Sequence, residues 1–589
     1  MPRIIICHSS VAKQLQQISC KDDKAVGLLI GYSSDDILTV SACVRCMSNN
    51  VLAELEDIDT YLPGGVFIVG YFHHKSKDLL KKLSTQFSQL LILTLPDNLT
   101  NLLSEDNFNF WTAEDGKSSV TVNISEESVV NTCVIARNTC CIDVTVDIGD
   151  SEESWKKSLS KEIDRQCKII KSGCIMYKLQ QSNVLIGGNQ SCGITLTKDS
   201  KCVDLYDLIE EDGGIYKRTR KKKDKHLETL QFTTYFKRSG TPTDENIPPC
   251  APVIYHNIVN TKSVDLTLCI DTISTVTTDT TVSKLAVAMS TSVCRQLKAM
   301  TNCLMQHSKR GDFQTPQPYH FQPLSLNTFL TVTYPSKMSD DDLVERRRDL
   351  HKMFCLNDDK PVFRRNNKHM FLEDLEKYGY LINPHAGLSS SGVKDGTPYI
   401  VQGLYSYHHY MQDRFDDNKW GCAYRSLQTL ISWFRLQGYT EKPIPGHKEI
   451  QQALVDVGDK DPKFVGSRQW IGSMECSYVL DHLIGVTSKI MFVSAGADLS
   501  SKGRELAQHF TTQGTPIMIG GGVLAHTILG VDFNDVTGDL KFLILDPHYT
   551  GAEELKVIQD KGWCGWKGTD FWDQTAHYNL CMPQRPTCI

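Results

Sequence analysis

Alternating apolar and polar positions dominate the early part of the chain. AVGLLIGYSSDDILTVSACVRC, residues 25–46, reads as strand, turn, strand, and GGVFIVGYFHH, residues 64–74, as a buried strand ending in two histidines. SSVTVNIS and CIDVTVDIG keep the same two-residue period, while LLKKLSTQFSQLL has a helical one. Further on, VDLTLCIDTISTVTTDTTVSKLAVAMSTSV, residues 264–293, predicts a β-rich stretch leading into a helix. SDDDLVERRRDLHKMFCL starts as a capped helix, with Ser339 at the N-cap and acids in the first turn.

The pattern lapses at NPHAGLSSSGVKDGTPY, residues 383–399, where Gly, Ser and Pro replace any period. This predicts an N-terminal accessory region over 1–375, a linker over 376–398 and a C-terminal domain over 399–589. GTPIMIGGGVLAHTILGVDF, residues 514–533, is long enough to span a membrane, yet it holds a glycine triplet, a proline and a histidine. It reads as two buried strands joined by a glycine turn, so no transmembrane segment is expected. The N-terminal MPRIIICHSSVAKQL lacks the apolar core and cleavage site of a secretory leader and reads as a first strand.

Composition adds bounds. A chain of 589 residues is too long for one core and should form two to four domains. With 40% hydrophobic and 22% charged residues it is an ordinary globular sequence, and its mixture of strand and helix patterns reads as α+β. A net charge of −6 gives no reason to expect direct nucleic-acid binding. Seven basic residues between Lys217 and Lys225 read as a solvated loop, with a localisation signal, an RNA contact or an acidic partner as other readings. The 21 cysteines are expected to be cytosolic thiols; Cys43 and Cys46 form a lone CxxC without a second pair, so neither a metal nor a cofactor is expected.

One thiol stands apart. After Cys422 in NKWGCAYRSLQTLISWF, the apolar Ala423, Leu427, Leu430, Ile431 and Phe434 share one face of a helix that Gly438 would stop. Cys422 thus sits at a helix N-terminus, where the dipole favours thiolate and free N–H groups can hold an oxyanion. Gly421 allows close approach of a substrate backbone. A packed thiol and a nucleophile are both compatible with this pattern. KFLILDPHYTG supplies an acid and an imidazole two residues apart, Asp546 and His548, on one side of an extended strand end. A turn with a surface histidine fits those residues too. YSYHHYMQDRFDDN adds Tyr405, Tyr407 and Tyr410, one of them a candidate oxyanion donor and the others core residues. Asp416 and Asp417 read as loop or cap carboxylates, and His526 as a core histidine. Gly520, Gly521 and Gly522 are candidates for a substrate groove or for turn and packing duty.

WGCAYRSLQT, GSRQWIG, GGGVLAHTILG and LDPHYTG, in that order, resemble the Ufm1-specific proteases, cysteine peptidases of the ubiquitin-fold modifier, over roughly Gly403 to Pro586. The chain is similar in length to the longer form of that family. The resemblance implies a papain-like fold with Cys422 as nucleophile, His548 as base, Asp546 as its orienter, and Tyr410 with the Cys422 N–H as oxyanion hole. It implies cleavage after the modifier's C-terminal glycine, with Trp420 and Gly421 beside the tail. It further implies that the N-terminal region recruits conjugates or an Odr-4-type membrane partner, giving a cytoplasmic protein drawn to the endoplasmic reticulum surface. LLIGYSS and GGVFIVGYFHH faintly resemble an MPN fold; without a Ser-x-x-Asp pattern this would be a metal-free, non-catalytic version. The alternatives are an Atg4-like protease of another modifier, and a scaffold in which the protease domain is secondary.

Overall fold

A computed structural model describes residues 4–19, 26–34, 37–47, 51–73, 91–94, 110–112, 122–125, 132–187, 191–192, 196–197, 199–209, 229–236, 262–323 and 325–588. Two compact units emerge, one within residues 1–357 apart from 213–218, the other over 358–589. The basic run Lys217–Lys225, most of the helical pattern LLKKLSTQFSQLL, and His74 lie outside the described residues.

The first unit contains two sheets. One joins β1 (Ile4–His8), β2 (Val26–Ser34), β3 (Ile37–Arg45), β4 (Phe67–His73), β5 (Leu91–Thr94), β6 (Phe110–Thr112) and β7 (Val122–Ser125) in the order 6-5-4-2-3-1-7. Helices α1 (Ser9–Ser19) and α2 (Val51–Tyr61) accompany it. The strand–turn–strand reading of residues 25–46 is the antiparallel β2–β3 pair. Cys43 is buried there, its thiol donating to the Gln14 side chain.

The second sheet joins β8 (Cys133–Asp147), β9 (Ile175–Leu179), β10 (Leu185–Gly187), β11 (Ser191–Cys192), β12 (Leu230–Phe236) and β13 (Ser263–Thr277) in the order 11-10-9-12-8-13. Its long β8–β13 ladder presents Val134, Ile142, Leu268 and Ile270 to a core closed by α3 (Glu152–Lys171) and α4 (Val282–His307). Ser151 caps α3 and Thr281 caps α4, each accepting from an N–H of the first turn. A ribbon of β14 (Pro316–Phe321) and β15 (Leu330–Pro335) follows. Ser339 and Asp342 then bond reciprocally at a short 3-10 turn, Asp341–Leu343, that leads into α5 (Val344–Met353), so the helix proper starts later than the sequence suggests.

The second unit opens with α6 (Leu372–Tyr378). Residues 383–395, aperiodic in sequence, are fastened to this unit's sheet: Ser391 donates to Asp532 at 2.6 Å, and Lys541 to the Ser391 carbonyl at 2.6 Å. Their Gly and polar content serves left-handed turns at Asn383, Gly387, Gly392 and Asp395. The sheet comprises β16 (Thr397–Ile400), β17 (Ser488–Val493), β18 (Ile517–Gly521), β19 (Leu524–Phe533), β20 (Leu540–Leu545), β21 (Cys564–Lys567) and β22 (Tyr578–Pro583). Its order is 17-22-18-19-20-21, with β16 on β19. The apolar run of residues 514–533 is the antiparallel β18–β19 hairpin, and among the described residues no helix is long and apolar enough to cross a membrane.

Helix α7 (Cys422–Leu436) is the central helix of this unit, accompanied by α8 (His447–Asp456), α9 (Ser473–Ile484), α10 (Gly503–Thr512) and α11 (Leu555–Asp560). The predicted apolar face is present, but every residue of α7 except Arg435 is buried. Its polar face is affordable because it is hydrogen-bonded: Ser432 takes the Ser406 N–H, Thr429 the His408 N–H, and Gln428 donates to the Pro445 carbonyl. Gly438, at φ 81°, ends the run as expected.

Candidate active site

Cys422 opens α7 behind Gly421, whose N-cap position has no side-chain cap, so the first-turn N–H groups are not claimed by a capping side chain. A Cβ at Gly421 would lie 2.5 Å from the Asp417 carboxylate, so this close approach requires glycine. At the other side, β20 ends at Leu545 and runs into Asp546-Pro547-His548. The Asp546 N–H donates to the Trp563 carbonyl at 2.8 Å, which holds this turn next to β21. The segment ahead of α7 is tied to the same turn: the Tyr410 N–H donates to the Pro547 carbonyl at 2.9 Å, and the Tyr407 hydroxyl to the Asp546 carbonyl. Cys422, Tyr410, Asp546 and His548 are thereby brought together.

His548 donates from Nδ1 to Asp546 Oδ1 at 2.6 Å, and its own N–H reaches the same oxygen at 2.9 Å. This fixes the tautomer and leaves Nε2 buried, with no aligned hydrogen-bond partner among the described residues, toward the Cys422 thiol. Burial alone would lower the imidazole pKa. The hydrogen bond and charge of Asp546 and of the Cys422 sulfur outweigh it and hold His548 up at about 9. Burial likewise pushes the thiol up, but His548, the Tyr410 phenol and the Ala525 N–H together bring it below its ordinary value. The pair therefore favours thiolate and imidazolium.

Tyr410 packs edge-on against the His548 ring, with centroids 5.3 Å apart. Burial keeps its phenol protonated, reinforced by the Cys422 sulfur and Asp417, and the phenol lies within hydrogen-bond reach of both the thiol and the Cys422 N–H. Two donors thus converge where a tetrahedral oxyanion at the sulfur would form. Tyr405 and Tyr407 are fully buried; Tyr405 pairs with His385 Nδ1 at 2.7 Å.

Two residues read from the sequence as a core histidine and a loop carboxylate have defined places at the site. His526 lies 3.8 Å from Asp546 Oδ2, its ring packed against His548, Phe571 and Trp572. Burial lowers its pKa to about 4, so it stands neutral beside the carboxylate. Extending the β19–β20 register, Thr527↔Leu545, puts His526 opposite Asp546, but a bulge between Ile528 and Gly530 hides that pairing from simple counting. Among the described residues, His526, Asp546 and His548 alone gather three metal-ligating atoms, within 4.8 Å of one another. The Asp546–His548 hydrogen bond and the buried neutral His526 account for this cluster without an ion. Asp417 is a loop carboxylate, as the sequence indicates, but a fully buried one, paired with Arg425 at 2.6 Å.

The substrate-side candidates divide. Trp420 is buried among Phe415, Tyr424 and His447. Gly521 is needed because a Cβ would come 2.3 Å from the Tyr578 ring, and Gly522 turns the hairpin at φ 61°. Gly520 has room for a Cβ, with Met518 and Ser473 at 3.4 and 3.5 Å. Packing and turn geometry therefore account for two of the three.

Residues 396–581 match the model of Peptidase family C78, and residues 160–376 that of the N-terminal region of Ubiquitin-fold modifier 1 specific protease 2. Ufm1-specific protease 2 of Gallus gallus is 46% identical over 453 residues, covering 76% of this chain and 98% of the relative. The Homo sapiens protein of that name is 45% identical (76% and 97% covered), and the Danio rerio one 50% (68% and 100%). The crystal structure of UfSP from C. elegans superposes with a TM-score of 0.73 at 26% identity, covering 100% of both chains. With near-complete coverage of such relatives, and both family models matched in order, the chain belongs to the Ufm1-specific proteases of peptidase family C78.

Proposed function

We propose that this cysteine protease cleaves after the C-terminal glycine of the ubiquitin-fold modifier, maturing its precursor and releasing it from target lysines. The reading is carried by the thiol, phenol and imidazole–carboxylate pair meeting at the head of α7, in a chain of this family.

The Cys422 thiolate attacks the glycine carbonyl carbon, and the new oxyanion accepts from the Tyr410 hydroxyl and the Cys422 N–H. As the tetrahedral species collapses, His548 gives its Nε2 proton to the departing lysine amine, leaving a thioester. His548 then takes a proton from water, which attacks the thioester and releases the modifier's carboxylate and the thiolate. Asp546 keeps Nδ1 protonated throughout, so that Nε2 is the nitrogen that exchanges protons. The N-terminal unit is assigned to recruitment of conjugates or of a partner at the endoplasmic reticulum membrane; its removal should abolish recruitment to that membrane in cell fractionation.

The test offers glycine-terminated electrophilic probes built on the ubiquitin-fold modifier, on ubiquitin and on an autophagy modifier. Capture of the first alone is expected, and it should vanish in Cys422→Ala. Labelling by another modifier alone, or labelling that survives the substitution, refutes the reading.

A further inference from the structure

The nine residues between Tyr410 and Trp420 contain four non-glycine residues in the left-handed region: Met411 (φ 65°), Asp413 (59°), Arg414 (57°) and Lys419 (70°). A run of this kind persists only where the surroundings hold it. What holds it is a buried ion pair next to the nucleophile. Asp417 Oδ1 accepts the Met411 N–H at 2.8 Å, the amide that follows Tyr410. Asp417 Oδ2 accepts from Arg425 Nε at 2.6 Å, and the Asp417 carboxyl fills the space where Gly421 lacks a side chain. His447 Nε2 lies 3.0 Å from the same oxygen, though too poorly aligned to close a hydrogen bond.

Arg425, projecting from the first turn of α7, spends its other donors on the same segment. Its Nη2 donates to the Gln412 carbonyl at 3.0 Å, and Nη1 to Asp413 Oδ2 at 3.1 Å and Gln428 Oε1 at 3.2 Å. Asp413 in turn accepts the Tyr380 hydroxyl at 2.6 Å. One end of this network is the main chain bearing Tyr410, and the other is the helix that begins with Cys422. The guanidinium also offsets a carboxylate that, unpaired, would oppose a thiolate on the next turn of chain.

We propose that Asp417 and Arg425 form a positioning clamp that sets the Tyr410 phenol against the Cys422 head of α7, so that the oxyanion donors are aligned before substrate arrives. The clamp rests on the reading of Tyr410 as an oxyanion donor. It acts through Tyr410 and touches no substrate. Arg425→Lys keeps the charge and loses the fork that bonds to Gln412, Asp413 and Asp417 together.

The test measures kcat and KM of the full chain on the modifier carrying a C-terminal fluorogenic amide. The variants are Arg425→Lys, Tyr410→Phe and the double variant, with Asp413→Asn as a milder disturbance from the clamp's outer edge. Arg425→Lys should lower kcat tenfold or more while KM stays within twofold, and should weaken a modifier aldehyde, which mimics the tetrahedral species, in step with kcat. In the double variant the clamp has nothing left to position, so kcat should match Tyr410→Phe alone. Losses that multiply instead, or a change confined to KM, overturn the clamp while leaving the donor reading intact. An unchanged kcat in Tyr410→Phe overturns the donor reading and the clamp with it. Should Arg425→Lys fail to fold, Asp413→Asn must show a smaller kcat loss with KM unchanged, absent in the Tyr410→Phe background; no loss refutes the clamp.

Discussion

The charge state of His548 carries the pH behaviour of the site. Its pKa of about 9 lies above the ordinary 6.5, because Asp546 and the Cys422 sulfur overcome its burial. The protonated ring therefore contributes stability that is fully present below about 6.5 and is lost as pH climbs through about 9. Alkylation of Cys422 by a small electrophile should keep its ion-pair character up to that pH. Asp546→Asn removes a raising partner, so the alkaline limb should move down toward the ordinary histidine range. A limb that stays in place would mean that Asp546 does not hold the Nδ1 proton. At this scale the sequence was informative where chemistry is local: Asp546 and His548 are neighbours but one, and the helix period put Cys422 at an N-terminus. His526 was legible as a core histidine, but not its place beside Asp546, which depends on a bulged cross-strand register; Arg425 was not legible, since its partner lies eight residues back across irregular loop.

Between residue and domain stands the segment Met411–Lys419, whose conformation no hydrophobic period encodes. Its left-handed positions cost about 1–2 kcal/mol apiece for side chains other than glycine. Lys419 is exposed, and Lys419→Gly should raise stability by about 1 kcal/mol, read as an increase in the thermal midpoint. A lowered midpoint would show that the lysine's conformation carries no strain. The same contrast explains the aperiodic stretch at 383–399. Its Gly and Ser content reads as a linker, yet Ser391 ties it to Asp532 on β19 and to Lys541 on β20. Turn-rich composition reports backbone geometry, and it is silent on whether a loop is anchored.

For the molecule as a whole, long-range pairing was the hardest thing to read. β8 and β13 share a continuous ladder although more than a hundred residues separate them, and two-residue alternation identifies each strand without identifying its mate. The core beneath that ladder gives a direct measure of the first unit. Trp155 is fully buried, donates to Glu152 at 2.6 Å and meets Phe313 edge-on at 5.2 Å. Trp155→Ala should cost this unit about 3–5 kcal/mol, seen as faster hydrogen exchange of the β8 amides. Unchanged exchange would place the core elsewhere.

The order of the protease sheet, 17-22-18, has a consequence for the timing of synthesis. The strand at Tyr578–Pro583 does not lie at an edge; it inserts between two strands made long before it. While the ribosome is still translating residues upstream of Tyr578, β17 and β18 have no partner between them, and the core that Cys422 shares with Cys581 is incomplete. The nascent thiol is then an ordinary cysteine without its tuned surroundings. The nucleophile, although it lies early in its domain, thus gains its reactivity only once the strand at Tyr578–Pro583 has joined the sheet.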